Sequence, residues 1–468
     1  MSGPSTDRAA AVGIEPPNDR MLSLAQLEEQ IGTGEVDTVI LAFTDMQGRL
    51  QGKRLHAAYF RDVAIKSGTE GCNYLLAVDV DMNTVDGYAI SSWKRGYGDM
   101  EFVPDWGTIR RLTHLPATAM VQCDLMWMDH EPVLQSPRTM LRRQLDRLDE
   151  RGLEAMSGTE LEFVIYEDTY EAAWKAAYRD LTPSNLYNVD YSILGTTRVE
   201  PLLRDIRNHM YAAGMVVEAA KGECNPGQHE IGFLYADAML TCDNHSVYKT
   251  AAKEIAAQHG KSLTFMAKVN ELEGSSCHIH LSLRGEDGGL VFWDEERGER
   301  TPMYDHFVAG VLATMEEFTL LYAPNINSYK RFAPGSFAPT AVAWGHDNRT
   351  CAVRLVGTGP AARMENRLPG GDVNPYLAVA AMLAGGLHGI EQELPLEEEM
   401  VGNAYESDAP HVPITLQAAR DLFAASEVAR SAFGDEVVDH YVNMADVELQ
   451  AFNAAVTDWE LRRGFERM

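Results

Sequence analysis

Four stretches of the chain carry side chains whose types and spacing could do chemistry together. The first is GTELEF, with Glu160 and Glu162. In an extended strand residues i and i+2 face the same way, so two carboxylates are pushed together and repel unless something cationic lies between them. The alternation with Leu161, Phe163 and Ile165 makes this an amphipathic strand, and the pair alone also fits a solvated strand face. The second, GECNPGQHEI, brackets a Pro-Gly turn with Glu223 and Glu230, a pattern that loop acids also produce. The third, SSCHIHLSL, sets His278 and His280 on one strand face opposite Cys277 and Ile279. Paired imidazoles on an otherwise apolar strand point to metal or phosphate contact more than to packing. The fourth is basic: Lys330-Arg331, Arg349, Arg354, then RMENR, in which Arg363, Glu365 and Arg367 share a face. Arginine suits bidentate recognition of carboxylate and phosphate, so this cluster marks an anion site or a salt-bridged surface.

Combined, the groups supply carboxylates, imidazole and arginines with little sulfur. Oxygen-rich ligation favours Mg²⁺ or Mn²⁺ over zinc. Divalent metals beside arginines, with no Gly-rich phosphate loop in the chain, point to nucleotide phosphoryl transfer or to metal-assisted hydrolysis.

The elements that must position these residues can be read from periodicity and turn chemistry. Residues 1–20 are polar and read as a disordered tail. MLSLAQLEEQI has helical spacing, and VDTVILAFTDMQGRLQGKRL reads as strand, turn, strand with Gln47-Gly48 at the turn. TAMVQCDLMWM is a further strand, so residues 21–130 form a small β-rich part needing few helices. SPRTMLRRQLDRLDERG opens the second part: Ser136 is a candidate N-cap, Pro137 takes the first helical position and Gly152 closes the helix. Strands and helices then alternate. EAMSGTELEFVIYE, VVEAAKGE, LTFMAKV, SCHIHLSL, CAVRLVG and RMENRLP read as strands; helices end at Gly214 and Gly260, and NPYLAVAAMLAGGLHGIE reads as a mostly buried helix. Residues 131–468 are thus an α+β or α/β catalytic part, largely helical from about residue 415.

Composition narrows the function class. Of 468 residues 45% are hydrophobic and 23% charged, the balance of a globular protein, and the formal net charge is -29. Such acidity argues against nucleic acid or anionic membrane as a partner. Six dispersed cysteines with no CxxC read as reduced thiols, and no apolar run is long enough to span a bilayer. The N-terminal stretch has no apolar signal core, so the expectation is a cytoplasmic protein.

The motifs, in order, resemble the glutamine synthetase family in its bacterial class I and class I-like forms: GTELEF, VVEAAKGECNPGQHEI, SSCHIHLSL, NINSYKRFAPGSFAP, NRTCAVR and RMENRLPGGDVNPYLA, with FTDMQG and GDMEFVPD extending the match. The resemblance implies an α+β fold: a small N-terminal β-grasp-like domain and a large catalytic domain with a curved antiparallel sheet and surrounding helices. It implies one metal on Glu162, Glu223 and Glu230 and another on Glu160, His278 and Glu365, with two or three Mg²⁺ or Mn²⁺ per site. ATP would be held by Arg349, Arg354 and Arg363, near Glu218, His280 and Ser282. Arg331 and Arg367 would hold the amino-acid carboxylate and the moving phosphate, with Gly274 and Glu162 beside the substrate. The family forms γ-glutamyl phosphate from glutamate and ATP, and a nitrogen nucleophile then displaces phosphate. It also implies a dodecamer of two stacked hexameric rings, with sites between neighbouring subunits and the C-terminal helices linking the rings. Tyr405, in GNAYESD, lies near a position adenylylated in some relatives, but its surroundings differ.

The departures from the family pattern indicate which nucleophile is used. Glutamine-forming members carry a glutamate in the flap where this chain has Phe337, and an FDGSS aspartate that has no counterpart here. Their HHH is Ala220-Lys221-Gly222. The phosphorylating half of the site is retained and the ammonium half is not. A phenyl ring offers apolar contact or a cation–π face of ~0.5–2 kcal/mol, which fits an organic amine better than ammonium. The expected activity is an ATP-dependent ligase joining the γ-carboxylate of glutamate to ethanolamine, a polyamine or another alkylamine. The alternatives are glutamine synthetase itself and a non-catalytic relative. Asp99, Glu273 and the phosphate product are the candidate proton acceptors.

Overall fold

The computed structural model describes residues 21–333 and 335–468. The tail assigned to residues 1–20 lies outside the described residues. The first helix, Leu24–Thr33, is opened by a capping box between Ser23 and Gln26. It leads into a sheet of β1 (Thr38–Thr44), β2 (Leu50–His56), β3 (Thr69–Cys72), β4 (Asp99–Pro104), β5 (Arg110–Arg111) and β6 (Thr118–Trp127), ordered β2-β1-β6-β4-β3 with β5 beside β6. The β1–β2 turn falls at Gln47-Gly48 as expected: Gly48 has φ +79°, and Asp45 accepts the amides of Gln47 and Arg49. Asn374 donates to the carbonyls of Asp45 and Met46, so this turn is docked onto the second part of the chain.

The second sheet contains β7 (Leu153–Tyr166), β8 (Val217–Gly222), β9 (Gln228–Phe233), β10 (Ala236–Asp237), β11 (Ser262–Thr264) and β12 (Cys277–Gly285). After the small hairpin of β13 (Trp293–Asp294) and β14 (Glu299–Arg300) it adds β15 (Trp344–His346), β16 (Val353–Val356) and β17 (Arg363–Asn366). Its order is β15-β16-β17-β12-β7-β9-β8, with β10 and β11 on β7, and every pair but β15–β16 is antiparallel. The fold is therefore α+β. One apolar core runs from Leu27 to Leu449 and joins both sheets to the long helices Ala238–Gln258, Pro302–Tyr322 and Pro375–Glu391. Leu161, Phe163, Ile165, Ile231, Ile279 and Met364 are buried in it, each contributing ~1.5–3 kcal/mol of apolar burial. Their alternation leaves the glutamates and histidines on the opposite face.

Three expectations need correction. Residues 57–67 are helical, in a run of α- and π-helical turns, where few helices were expected; Phe60 and Ala64, four apart, bury one side of it. The strand read in LTFMAKV stops at Thr264, and Ser275 then donates to the Ala267 carbonyl where the chain turns toward the site. Ser136 takes the N-cap position and Pro137 opens the helix as expected, but the helix ends at Asp149, before Gly152, and the Ser136 side chain makes no capping bond among the described residues. No helix among the described residues is long and apolar enough to cross a membrane.

Candidate active site

Register assembles the site. Glu160 on β7 stands opposite His278 on β12, and Glu162 stands opposite Glu230 on β9, which in turn faces Lys221 on β8. On the other flank His280 pairs with Glu365 on β17, and Glu365 with Arg354 on β16. Residues more than two hundred positions apart thus form a continuous polar band across the sheet.

Ligand atoms of Glu162, Glu223 and Glu230 lie within 4.8 Å of one another, as do those of Glu160, His278 and Glu365. In the first set, Glu162 Oε2 accepts from Gln228 Nε2 (2.8 Å) and from the Ser276 amide (2.8 Å). Burial, and then the charge of Glu223, push the Glu162 carboxyl up from its ordinary range. Burial raises Glu223 and Glu230 too, against the opposing charge of Lys221. Three adjoining carboxylates, Glu162 buried and Glu223 and Glu230 half-buried, that resist ionising together are the donor set a hard divalent cation requires. Lys221 supplies part of that charge, ion-paired to Glu223 and 4.0 Å from Asp190.

In the second set, His278 Nδ1 lies 3.2 Å from Glu160 Oε2 and 3.4 Å from Glu365 Oε1, while its buried Nε2 has no partner among the described residues. Burial and the charge of Arg367 push His278 down to about 4, so the imidazole is neutral, the form that ligates metal. Burial acts to raise Glu160, but the hydrogen bonds of His278 and His280 outweigh it and hold the carboxyl well below its usual range. The donors of both sets therefore fit a divalent metal. A third group, Asp190, Glu223 and Cys224, shares Glu223 with the first.

The arginines close over this band. Arg331 is 1% exposed; it donates to the Leu368 carbonyl (2.9 Å) and Ser276 Oγ (2.9 Å), and its Nε has no partner among the described residues. Arg367 is paired to Glu365, and its Nε too lacks a partner among the described residues. Arg354 bridges Glu365 (2.9 Å) and Asp347, and Arg363 donates to His280 Nδ1 (3.2 Å). Gly274 is needed because a Cβ there would sit 2.5 Å from both Arg331 Cγ and the Ala267 carbonyl oxygen. Two buried guanidiniums with free N–H groups, facing two cation sites, can hold a carboxylate and a phosphoryl group side by side.

The remaining expected residues are more peripheral. Ser282 is half-buried on β12, Glu218 is exposed on β8, and Arg349 is exposed in the turn between β15 and β16. Phe337 is 57% exposed in the flap with φ 55°, a left-handed conformation costly for a bulky residue. Asp99 is exposed on β4 of the first sheet, and its own chain does not bring it into the cluster. Sequence reasoning missed Gln228, Ser276 and Asp190. Gln228 was findable, being two positions before Glu230 and on the same strand face.

Residues 134–464 match the family model for the glutamine synthetase catalytic domain. The chain is 63% identical, over 99% of its length and 98% of the relative's, to a γ-glutamylethanolamide synthetase of Streptomyces coelicolor. It is 37% identical to a glutamate–isopropylamine ligase of a Pseudomonas species, covering 94% of this chain and 97% of that one. A solved ligand-free structure of GmaS superposes with a TM-score of 0.82 at 27% identity, over 95% of this chain and 100% of that one. By the extent of these matches and by the residues assembled on its second sheet, the chain belongs to the glutamine synthetase family.

Proposed function

We propose that this protein is an ATP-dependent carbon–nitrogen ligase joining the γ-carboxylate of glutamate to a small organic amine, with ethanolamine the favoured amine. The observation that carries the reading is Phe337: the flap presents a half-exposed phenyl ring where glutamine-forming members have a carboxylate, while the carboxylates, His278 and buried arginines are all in place. The 63% identity to a γ-glutamylethanolamide synthetase supports the same choice of amine.

In this reading Glu162, Glu223 and Glu230 hold one Mg²⁺ or Mn²⁺, and Glu160, His278 and Glu365 a second. Bound there, the metals would neutralise charge on the ATP phosphates. Arg331 and Arg367 orient the glutamate carboxylate and the transferring phosphoryl group through their free N–H groups. Gly274 lets the backbone approach the Arg331 stem closely, beside the substrate in this reading. Arg349, Arg354 and Arg363 bind ATP phosphates, with Glu218, His280 and Ser282 along the nucleotide. The glutamate γ-carboxylate attacks the γ-phosphorus, ADP leaves, and the amine nitrogen then attacks the acyl carbon of γ-glutamyl phosphate, releasing phosphate and one proton. An alkylamine is mostly protonated at neutral pH, so it must shed a proton before attack. Asp99 could take it only from a neighbouring subunit, which accords with a ring-shaped dodecamer in which residues 21–130 of one chain cover the catalytic residues 131–468 of the next. We place this activity in the cytoplasm.

A panel of ethanolamine, isopropylamine, putrescine and ammonium, read by phosphate release with glutamate, ATP and Mg²⁺, tests the reading. Ethanolamine should give the highest kcat/KM. Turnover with ammonium and none with amines would make the protein a glutamine synthetase, and no turnover at all would make it non-catalytic.

A further inference from the structure

The loop that carries Arg367 runs on through LPGGDVN to a carboxylate that the site chemistry above does not use. Asp372 Oδ2 accepts from Asn325 Nδ2 (2.8 Å) and from Ser328 Oγ (2.6 Å). Ser328 begins the short helical turn Ser328–Arg331, so the carboxylate grips the first residue of the turn that ends in Arg331. The Asn325 amide donates to Ser328 Oγ (3.0 Å), and the Ser328 amide to the Asn325 carbonyl (3.1 Å), which closes the entry to the turn around the same side chains. Just before the turn, Asn327 accepts from the Lys268 amide (2.9 Å) and donates to the Lys268 carbonyl (3.0 Å), tying it to the segment that leads to Gly274.

The loop itself is anchored at both ends of this contact. Arg331 Nη1 donates back to the Leu368 carbonyl (2.9 Å), and two residues beyond Asp372 the Asn374 side chain donates to the carbonyls of Asp45 (3.0 Å) and Met46 (3.2 Å) on the first sheet. Between the anchors lies Gly370. A Cβ there would sit 2.8 Å from Asp372 Oδ1 and 3.2 Å from Arg331 Nη1, so the carboxylate and the guanidinium flank the same glycine. Asp372 Oδ1 is buried and has no hydrogen-bond partner among the described residues. All the bonding of this carboxylate is thus directed through Oδ2 to the two residues that set the Arg331 turn.

We infer that Asp372 is a positioning residue of the anion site: by holding Asn325 and Ser328 it fixes the Arg331 turn against the Arg367 loop, and so sets the spacing of the two guanidiniums. The identity of the anion rests on the ligase reading above; the clamp does not. Two properties of this carboxylate act in opposite directions. Its negative charge beside Arg331 weakens the hold on an anion there, whereas its hydrogen bonds keep Arg331 where an anion can be received. Losing the charge alone should therefore tighten anion binding or leave it unchanged, and losing the clamp should weaken it. Asparagine separates the two, because its oxygen can accept from both Asn325 and Ser328 while its NH₂ replaces an oxygen that has no bond to lose.

Asp372→Ala in the full-length protein should raise KM for glutamate about 10- to 100-fold with saturating ATP, Mg²⁺ and ethanolamine, the scale expected when a binding group shifts by about 1 Å. Its KM for ATP should stay within about threefold of wild type, and Asp372→Asn should bring KM for glutamate back to within about threefold, since the clamp's hydrogen bonds are kept. An unchanged or lowered KM for glutamate in Asp372→Ala would overturn the inference. So would an equal rise in KM for ATP, which would mean general loosening, or an equal defect in Asp372→Asn, which would assign the effect to charge. If Asp372→Ala does not fold, Ser328→Ala carries the test: it removes one donor and keeps the charge, so KM for glutamate should rise about threefold or more, and a wild-type value refutes the clamp. If wild-type protein turns over no amine and no ammonium, the ligase reading fails, and binding of inorganic phosphate to the Mg²⁺-loaded protein becomes the readout. Weaker phosphate binding in Asp372→Ala than in Asp372→Asn then supports the clamp, and equal binding refutes it.

Discussion

Replacing Glu230 by glutamine should stabilise the metal-free protein and weaken the response to metal. Glu230 and Glu162 are direct cross-strand partners on β9 and β7, a spacing of ~5 Å between Cβ atoms. At an effective dielectric of about 20, two unit charges at that separation repel by roughly 3 kcal/mol. Lys221 offsets part of this, so removing one charge should recover about 1–3 kcal/mol. The sign with pH follows from burial, which raises the Glu230 carboxyl. A carboxyl whose folded pKa lies above its unfolded value of 4.5 binds more protons in the folded state. Its full contribution is present below that value and is lost as pH rises through the folded pKa, about 1.4 kcal/mol for each pH unit that separates the two. Wild-type protein in EDTA should therefore lose stability from pH 5 to pH 8, and Glu230→Gln should flatten that slope. With Mn²⁺ the order reverses: a site missing one of three carboxylates, if about 100-fold weaker, forfeits ~2.7 kcal/mol of metal-induced stabilisation. Thermal unfolding in EDTA and in Mn²⁺ across this pH range reads both effects. A variant less stable than wild type in EDTA at pH 8, or one that keeps the full Mn²⁺ response, would refute the metal-site assignment.

Phe337→Glu should raise the ratio of ammonium to ethanolamine kcat/KM by at least about 10-fold, since a positioned proton acceptor is worth ~10²–10⁴ in rate; an unmoved ratio would remove Phe337 from the amine pocket. Arg331→Lys cannot keep both the Leu368 and Ser276 bonds, and should cost about 100-fold in kcat/KM for glutamate while circular dichroism stays native. Gly274→Ala drives a methyl group against the Arg331 stem and should destabilise by about 1–3 kcal/mol with a parallel loss of activity, checked by unfolding and phosphate release. Arg138 joins Asp105 and Asp124 of the first part to Asp243 of the second, so Arg138→Ala, which strands the buried Asp243, should cost about 3–5 kcal/mol in urea unfolding.

What was legible in the sequence was whatever depends on local period. The i, i+2 spacing of Glu160 with Glu162 and of His278 with His280 placed each pair on one strand face, and both pairs lie in the polar band. The β1–β2 turn at Gln47-Gly48 was legible for the same reason, because a left-handed glycine is a local requirement. Register was not legible from period: that Glu162 meets Glu230 and His280 meets Glu365 depends on strand order across the sheet, which no window of residues encodes, and only the family resemblance grouped the glutamates beforehand. Arg138 reads as one more charge on an amphipathic helix until Asp243, 105 positions on, arrives beside it. Gln228 and Ser276 escaped notice because they are neutral, yet they aim Glu162.

The most direct test of the central claim is a competition. Ethanolamine and ammonium at equal concentration, with glutamate, ATP and Mg²⁺, should yield mainly γ-glutamylethanolamide by mass spectrometry, with ADP and phosphate formed in equal amounts to it. Glutamine as the main product would contradict the account.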